Sequence, residues 1–164
     1  MHEPVGPALL VWLETSGFAQ AMRQWLWLYP IVEIVHIGGI VLLVGGAAMF
    51  DLRLLGLGRT LSVRRLARLL LPWSVVGLAL VAATGLMMFT AHATEFWVNP
   101  AFAVKMSLIV LAGLNAALFH RGIYRTVATW DVDLPPPPRA RFAAAASLAL
   151  WLGAISGGRL IAYL

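Results

Sequence analysis

The sequence of 164 residues contains no cysteine and carries little charge. Without cysteine, the chain cannot form disulfides, thiolate metal sites or iron–sulfur clusters. Only 12% of the residues are charged, which is about half the share that is usual for soluble proteins. The first shortage excludes thiol chemistry, and the second argues against a soluble globular domain.

Apolar residues dominate the chain, because 61% of it is hydrophobic and the mean hydropathy is +0.85. Apolar runs of 18 residues or more are typical of transmembrane helices. A shorter apolar stretch, residues 8–23, is interrupted at residues 15–17 and is expected to lie in the membrane interface as a helix. The predicted fold is an all-α, integral membrane four-helix bundle in one transmembrane domain. Its spans are predicted over residues 25–51, 69–90, 99–120 and 142–164.

Pro72 is expected to open the second span, and Asn99 as the N-cap with Pro100 at the first helical position predicts the start of the third. The four prolines of residues 135–138 are expected to form an extended polyproline II spacer before the fourth.

The basic residues predict the orientation of the bundle. Nine of the twelve lysine and arginine residues lie in residues 51–68 and 121–141, whereas residues 91–99 contain none. By the positive-inside rule, both arginine-rich loops are expected in the cytoplasm and both termini outside, an N-out, C-out arrangement. Because these residues set topology, the net charge of +5 does not indicate nucleic acid binding. The lipid bilayer is the expected partner.

The first span carries Glu33 and His36 one helical turn apart, so both side chains share a face. At a rise of about 1.5 Å per residue, His36 lies roughly 3 Å and Glu33 roughly 7 Å outward from the bilayer midplane. Lys105 and Arg159 lie about 9 and 10 Å outward on the third and fourth spans. Ionisable residues inside a membrane suggest function. The four are predicted to form one polar layer, although packing hydrogen bonds or snorkelling would also explain each residue alone.

This layer suggests a heme b site. His36 is the expected axial ligand, and Gly39, together with Gly46, would leave room for a porphyrin beside the helix. Lys105 and Arg159 would hold the propionates of the heme. Either cation could instead form an ion pair with the carboxylate of Glu33.

The other histidines are poorly placed as a second axial ligand. By the same rise per residue, His92 lies roughly 16 Å from His36 toward the outer face of the membrane, and His120 lies roughly 16 Å from it toward the cytoplasmic face. Met106 and Lys105 are at a better depth for this role. A structural zinc site would need three or four convergent ligands, which the sequence does not offer.

Five segments carry a resemblance to known proteins, namely residues 27–39, 51–56, 99–105, 115–120 and 158–163. Together they resemble a family of uncharacterised bacterial four-helix membrane proteins, which implies a multi-pass protein of the bacterial inner (cytoplasmic) membrane. More distantly, His36 and the segment Phe102-Ala-Val-Lys105 resemble the membrane histidine and lysine of HemJ-type protoporphyrinogen oxidases. That resemblance implies heme b held by His36 and Lys105. The outline is also similar to that of CopD-type copper-resistance proteins.

Three functions stay open at this point. The first is a heme b membrane cytochrome, active in electron transfer or heme-linked redox near the periplasmic side. The second is a copper or small-solute permease, with Glu33, His36 and Met106 as a transient copper site. The third is a non-catalytic assembly subunit, in which the polar layer only locks the helices together.

The fourth span contains a Gly-x-x-x-Gly step, Gly153 to Gly157. Small residues four apart let another helix approach closely within a membrane. This step predicts a homo-oligomer that associates through the fourth span, with packing inside the same bundle as the alternative.

Overall fold

A computed structural model describes residues 5–161 and 163 of the chain. Within this part, every regular element is helical, and four helices are long and apolar enough to cross a membrane. The prediction of an all-α four-helix membrane bundle with a short N-terminal helix is confirmed. The helices are α1 (Ala8–Thr15), α2 (Gly17–Gln24), α3 (Leu28–Leu55), α4 (Val63–Ala91), α5 (Ala93–Val98), α6 (Pro100–Arg121) and α7 (Pro138–Leu160), with a 3₁₀ helix at Ile123–Thr129.

The helix that contains the first span begins and ends later than the sequence predicts. It begins at Leu28, which places Pro30 in its first turn, where proline is tolerated because those N–H groups have no helical partner. It continues past Asp51 to Leu55 and stops at Gly56, whose φ of 111° favours glycine. Asp51 is therefore inside the helix rather than at its end.

The helix of the second span begins six residues before the predicted start. The Ser62 hydroxyl accepts a hydrogen bond from the N–H of Arg65, so the helix is capped there. Pro72, predicted to open this span, lies inside the helix. Neighbouring helices and local adjustment of the backbone make interior proline tolerable in membrane helices.

The start of α6 follows the predicted capping signal. The Asn99 side-chain oxygen accepts hydrogen bonds from the N–H groups of Ala101 and Phe102, and Pro100 takes the first helical position. α7 begins at Pro138, four residues before the predicted start, so the last of the four consecutive prolines is helical rather than extended.

The predicted interfacial helix is present but divided into two at Ser16, whose hydroxyl caps α2 through the N–H of Ala19. The pair docks on the end of the bundle opposite the arginine-rich loops. The buried Glu14 carboxylate accepts hydrogen bonds from both the N–H and the hydroxyl of Thr94, at 2.8 and 2.7 Å. Arg23 donates to the carbonyl of Ala91 at 2.8 Å.

The two arginine-rich loops meet at the other end of the bundle, here called the arginine-rich end. The guanidinium of Arg53 is only 2% exposed and donates hydrogen bonds to the carbonyl groups of Arg59, Leu61 and Asp131. The Asp131 carboxylate in turn accepts from the hydroxyl of Ser62. Arg53 therefore holds the two loops together, in addition to any role in topology.

Among the described residues, the long helices pack in the order α4, α3, α7, α6. The backbones of α3 and α4 stay further from α6, which they meet through large side chains such as Phe50 of α3 against Phe119 of α6, with ring centroids 5.9 Å apart. At the end opposite the arginine-rich end, stacked rings of Phe89, Phe96 and Phe102 join α4, α5 and α6, with centroids 5.4–6.1 Å apart.

Candidate functional site

His36 is the best-organised residue of the predicted polar layer. Its Nδ1 atom lies 2.8 Å from the hydroxyl oxygen of Thr84 on α4. Gly85 lies beside the ring, and a Cβ atom added there would be 3.3 Å from the imidazole Cε1. The missing side chain at Gly85 therefore makes room for the imidazole against α4.

The Thr84 hydroxyl determines which ring nitrogen of His36 carries the proton. That hydroxyl lies 2.6 Å from the carbonyl oxygen of Leu80 and donates its single hydrogen there. With that hydrogen in use, the hydroxyl oxygen accepts a hydrogen bond from Nδ1–H of the neutral imidazole, and the backbone carbonyl of Val81 also accepts a hydrogen bond from the ring. Nε2 keeps its lone pair in this tautomer and is available to a proton or a metal.

Lys105 and Glu33 are the charged residues that the structure brings near His36. Both side chains interact with the imidazole electrostatically. The Lys105 side chain lies over α7, where a Cβ atom added to Gly158 would be 3.3 Å from Nζ. Glu33 is exposed, and no ion pair joins it to Lys105 in the described part of the chain.

Arg159 and Met106 do not join this group. The Arg159 guanidinium lies over the ring of Tyr163, 5.6 Å from its centroid, and is 3.4 Å from the Tyr163 hydroxyl. Both residues lie on the exposed surface at the end of α7. Met106 is 43% exposed on the outside of α6. The predicted layer of four ionisable residues is thus reduced to His36 with two charged neighbours.

The expectation that Gly39 and Gly46 leave room for a porphyrin is wrong. A Cβ atom added to Gly39 would lie 2.9 Å from Val81 and 3.1 Å from the carbonyl oxygen of Gly77. Gly46 likewise faces Ser74. These glycines let α4 approach α3 closely, so the space beside them is filled by protein.

The glycine step of the fourth span also faces another helix of the same chain. A Cβ atom added to Gly153 would lie 3.0 Å from Leu108, and one added to Gly157 would lie 3.3 Å from Lys105. This face of α7 packs on α6, which is the alternative considered above. Self-association of the chain stays a prediction.

Residues 5–161 and 163 contain no group of three or more His, Asp or Glu side chains that could hold a metal ion. His92 pairs with Glu95 at 3.3 Å on the surface. His120 lies at the opposite end, against the rings of Phe119 and Tyr124. Neither histidine joins His36, as the depth estimate predicts.

A cavity of about 460 Å³ lies among the four long helices toward the arginine-rich end. Its lining includes Asp51, which is only 6% exposed and is hydrogen bonded by Ser147 of α7. Sequence reasoning used Asp51 only to end the first span. An acidic residue at the end of an apolar run is the signal that could have pointed to it, but only the packing of α7 shows that the carboxyl group is buried.

Comparison of the chain with protein-family models, with curated proteins and with solved structures gives no match. The candidate sites therefore rest on the geometry of this chain alone.

Proposed function

We propose that this chain is a heme b-binding protein of the bacterial inner membrane, with His36 as the axial ligand. One observation carries the proposal: the hydrogen bond to Thr84 fixes the tautomer in which Nε2 keeps its lone pair. Ligand histidines in metalloproteins are usually held in this way, because a partner on the other nitrogen fixes the orientation of the ring.

The neighbouring residues fit such a group in part. Lys105 interacts electrostatically with His36, and its ammonium is suited to a propionate. The exposed Arg159 and Met106 lie away from this position, so neither supports the proposal. Bound heme would supply one-electron exchange, with a potential set by its ligands and the surrounding charge.

The visible spectrum of the protein tests this proposal. We expect protein purified in dodecyl maltoside from heme-replete cells to be red, with a Soret band and a pyridine hemochrome of heme b. His36→Ala should remove the band, whereas His92→Ala and His120→Ala should keep it. A colourless protein, or an unchanged spectrum in His36→Ala, would overturn the assignment.

Replacement of Thr84 tests the observation that carries the proposal. Thr84→Val removes the hydroxyl that binds Nδ1 while keeping the shape of the side chain and the contact of the ring with the Val81 backbone, and loss of such a side-chain partner lowers affinity by about 10–100-fold. Thr90→Val is the matched control, because the Thr90 hydroxyl bonds only the carbonyl of Met87 on its own helix. Equal heme retention by the two variants would contradict the role of Thr84.

A further inference from the structure

The cavity near the arginine-rich end contains a buried acidic group that the proposed heme site does not use. Asp51 lines it, and the Oδ2 atom of this residue has no hydrogen-bond partner among the described residues. The Ser147 hydroxyl supplies the hydrogen bond to this carboxyl group. An unpartnered carboxylate oxygen away from water is costly, and a ligand that donates to it would remove that cost.

The other polar groups of the cavity have mostly used their donors. Asn115 donates one N–H of its side-chain NH₂ group to the carbonyl of Ala143 at 2.9 Å, which leaves its second N–H and its amide oxygen. Ser74 donates its hydroxyl hydrogen to the carbonyl of Leu70 at 3.4 Å. Of the described residues that line the cavity, Asp51 alone has a buried side-chain polar atom without a hydrogen-bond partner, and a complementary ligand must bring an N–H or O–H donor to it.

The charge of the cavity is also unbalanced. Of the described residues that line it, Asp51 is acidic, none is lysine or arginine, and His120 is the one other titratable group. Arg53 is two residues away, and its Nε and Nη2 groups bind the carbonyl groups of the loops at the arginine-rich end, whereas its Nη1 has no partner among the described residues and does not pair with Asp51. A buried carboxylate without a cation favours a ligand that carries positive charge.

The cavity opens toward the lipid. α4 and α6 both line it, and the lining residues Val75 and Leu78 of α4 and Gly113 of α6 are exposed on the outside of the bundle. A shallower groove between them shares Leu71, Val75 and His120 with the cavity. Away from Asp51 the walls are apolar, with Leu43, Leu78 and Trp151 among the lining residues. A ligand that enters through this opening must be lipophilic.

We propose that this cavity binds a lipophilic organic cation. Its ammonium N–H groups donate hydrogen bonds to Asp51 and to the side-chain oxygen of Asn115, and its apolar part lies along the walls toward the middle of the bundle. A metal ion is a poor occupant, because no group of three acidic or histidine side chains surrounds the position within the described residues.

A pair of probes separates the contribution of charge from that of apolar contact. We would measure binding of 2-(1-naphthyl)ethylamine and of 2-(1-naphthyl)ethanol by titration calorimetry, with the protein in dodecyl maltoside and empty micelles as the blank. The two probes share the naphthalene ring and differ in the head group. We expect the amine to bind saturably at one site and the alcohol to bind at least about tenfold more weakly.

Two variants locate the binding at Asp51. Asp51→Asn should weaken binding of the amine by about tenfold or more and leave that of the alcohol unchanged. Asp133→Asn is the matched control, because Asp133 is an exposed acidic residue near the same end, and its positive φ is tolerated by asparagine. Equal affinity for amine and alcohol, or equal effects of the two variants, would overturn the proposal. The cavity would then be only a gap between the helices that lipid fills.

A third variant tests the same cavity without a change at Asp51, so the proposal can still be tested if Asp51→Asn does not fold. Gly113 lines the cavity on its exposed side, and a Cβ atom added there meets nothing within 4 Å. Gly113→Leu should therefore fold, occupy the opening and weaken binding of both probes. Unchanged binding in this variant would also contradict the proposal. Because His36 does not line the cavity, His36→Ala should bind the amine normally, so this site and the heme site can fail separately.

Discussion

Replacement of Gly77 by alanine tests how closely α3 and α4 approach each other. A Cβ atom added to Gly77 would lie 2.5 Å from the backbone nitrogen of Leu43 and 2.7 Å from the carbonyl oxygen of Gly39. Ordinary contact begins near 3.4 Å, so the helices would have to separate by roughly 0.9 Å. A gap of about 0.5–1 Å forfeits a quarter to a half of the dispersion attraction between facing atoms. Overpacking of this kind destabilises by about 1–3 kcal/mol.

Gly45→Ala is the matched control for Gly77→Ala. A Cβ atom added to Gly45 of α3 meets nothing within 4 Å, so this alanine brings only the gain in helix propensity, about 0.5–1 kcal/mol. Both variants share that gain, and the difference between their free energies of unfolding isolates the contact with α3, at about 1–3 kcal/mol. Titration with SDS, followed by tryptophan fluorescence and circular dichroism, measures it. Equal stability of the two variants would refute the close approach at Gly77.

Two further predictions concern the loops and the fourth span. Arg53→Met should lower the free energy of unfolding by about 3 kcal/mol, because buried carbonyl groups of both loops lose their donor. Arg139→Met, at an exposed arginine, should stay within about 0.5 kcal/mol of the parent in the same titration. Gly157→Leu should destabilise the chain, because its side chain would enter the space of Lys105, whereas Gly38→Leu should not. If Gly157→Leu instead stays folded and converts an oligomer to monomers in light scattering, this face of α7 is external.

Local sequence determined most of the helical arrangement. Apolar runs of sufficient length indicate four membrane helices because the bilayer core excludes unpaired backbone groups. The capping pair Asn99 and Pro100 identified the start of α6, since its hydrogen bonds involve only the next few residues. The helix ends at Leu55, Val63 and Pro138 lie beyond the predicted span ends because a helix extends past the apolar stretch for as long as capping and loop contacts support it.

Only the tertiary structure decided which polar residues meet. In a membrane, apolar residues face lipid as well as other helices, so the sequence does not indicate which face of a span is inside. The rotation and order of the helices place His36 against Thr84 and leave Glu33 exposed, although both side chains share a helix face. The same packing buries Asp51 beside Ser147 from a helix almost a hundred residues away in the chain. Contacts of this kind depend on neighbours that are distant in sequence, and no local pattern encodes them.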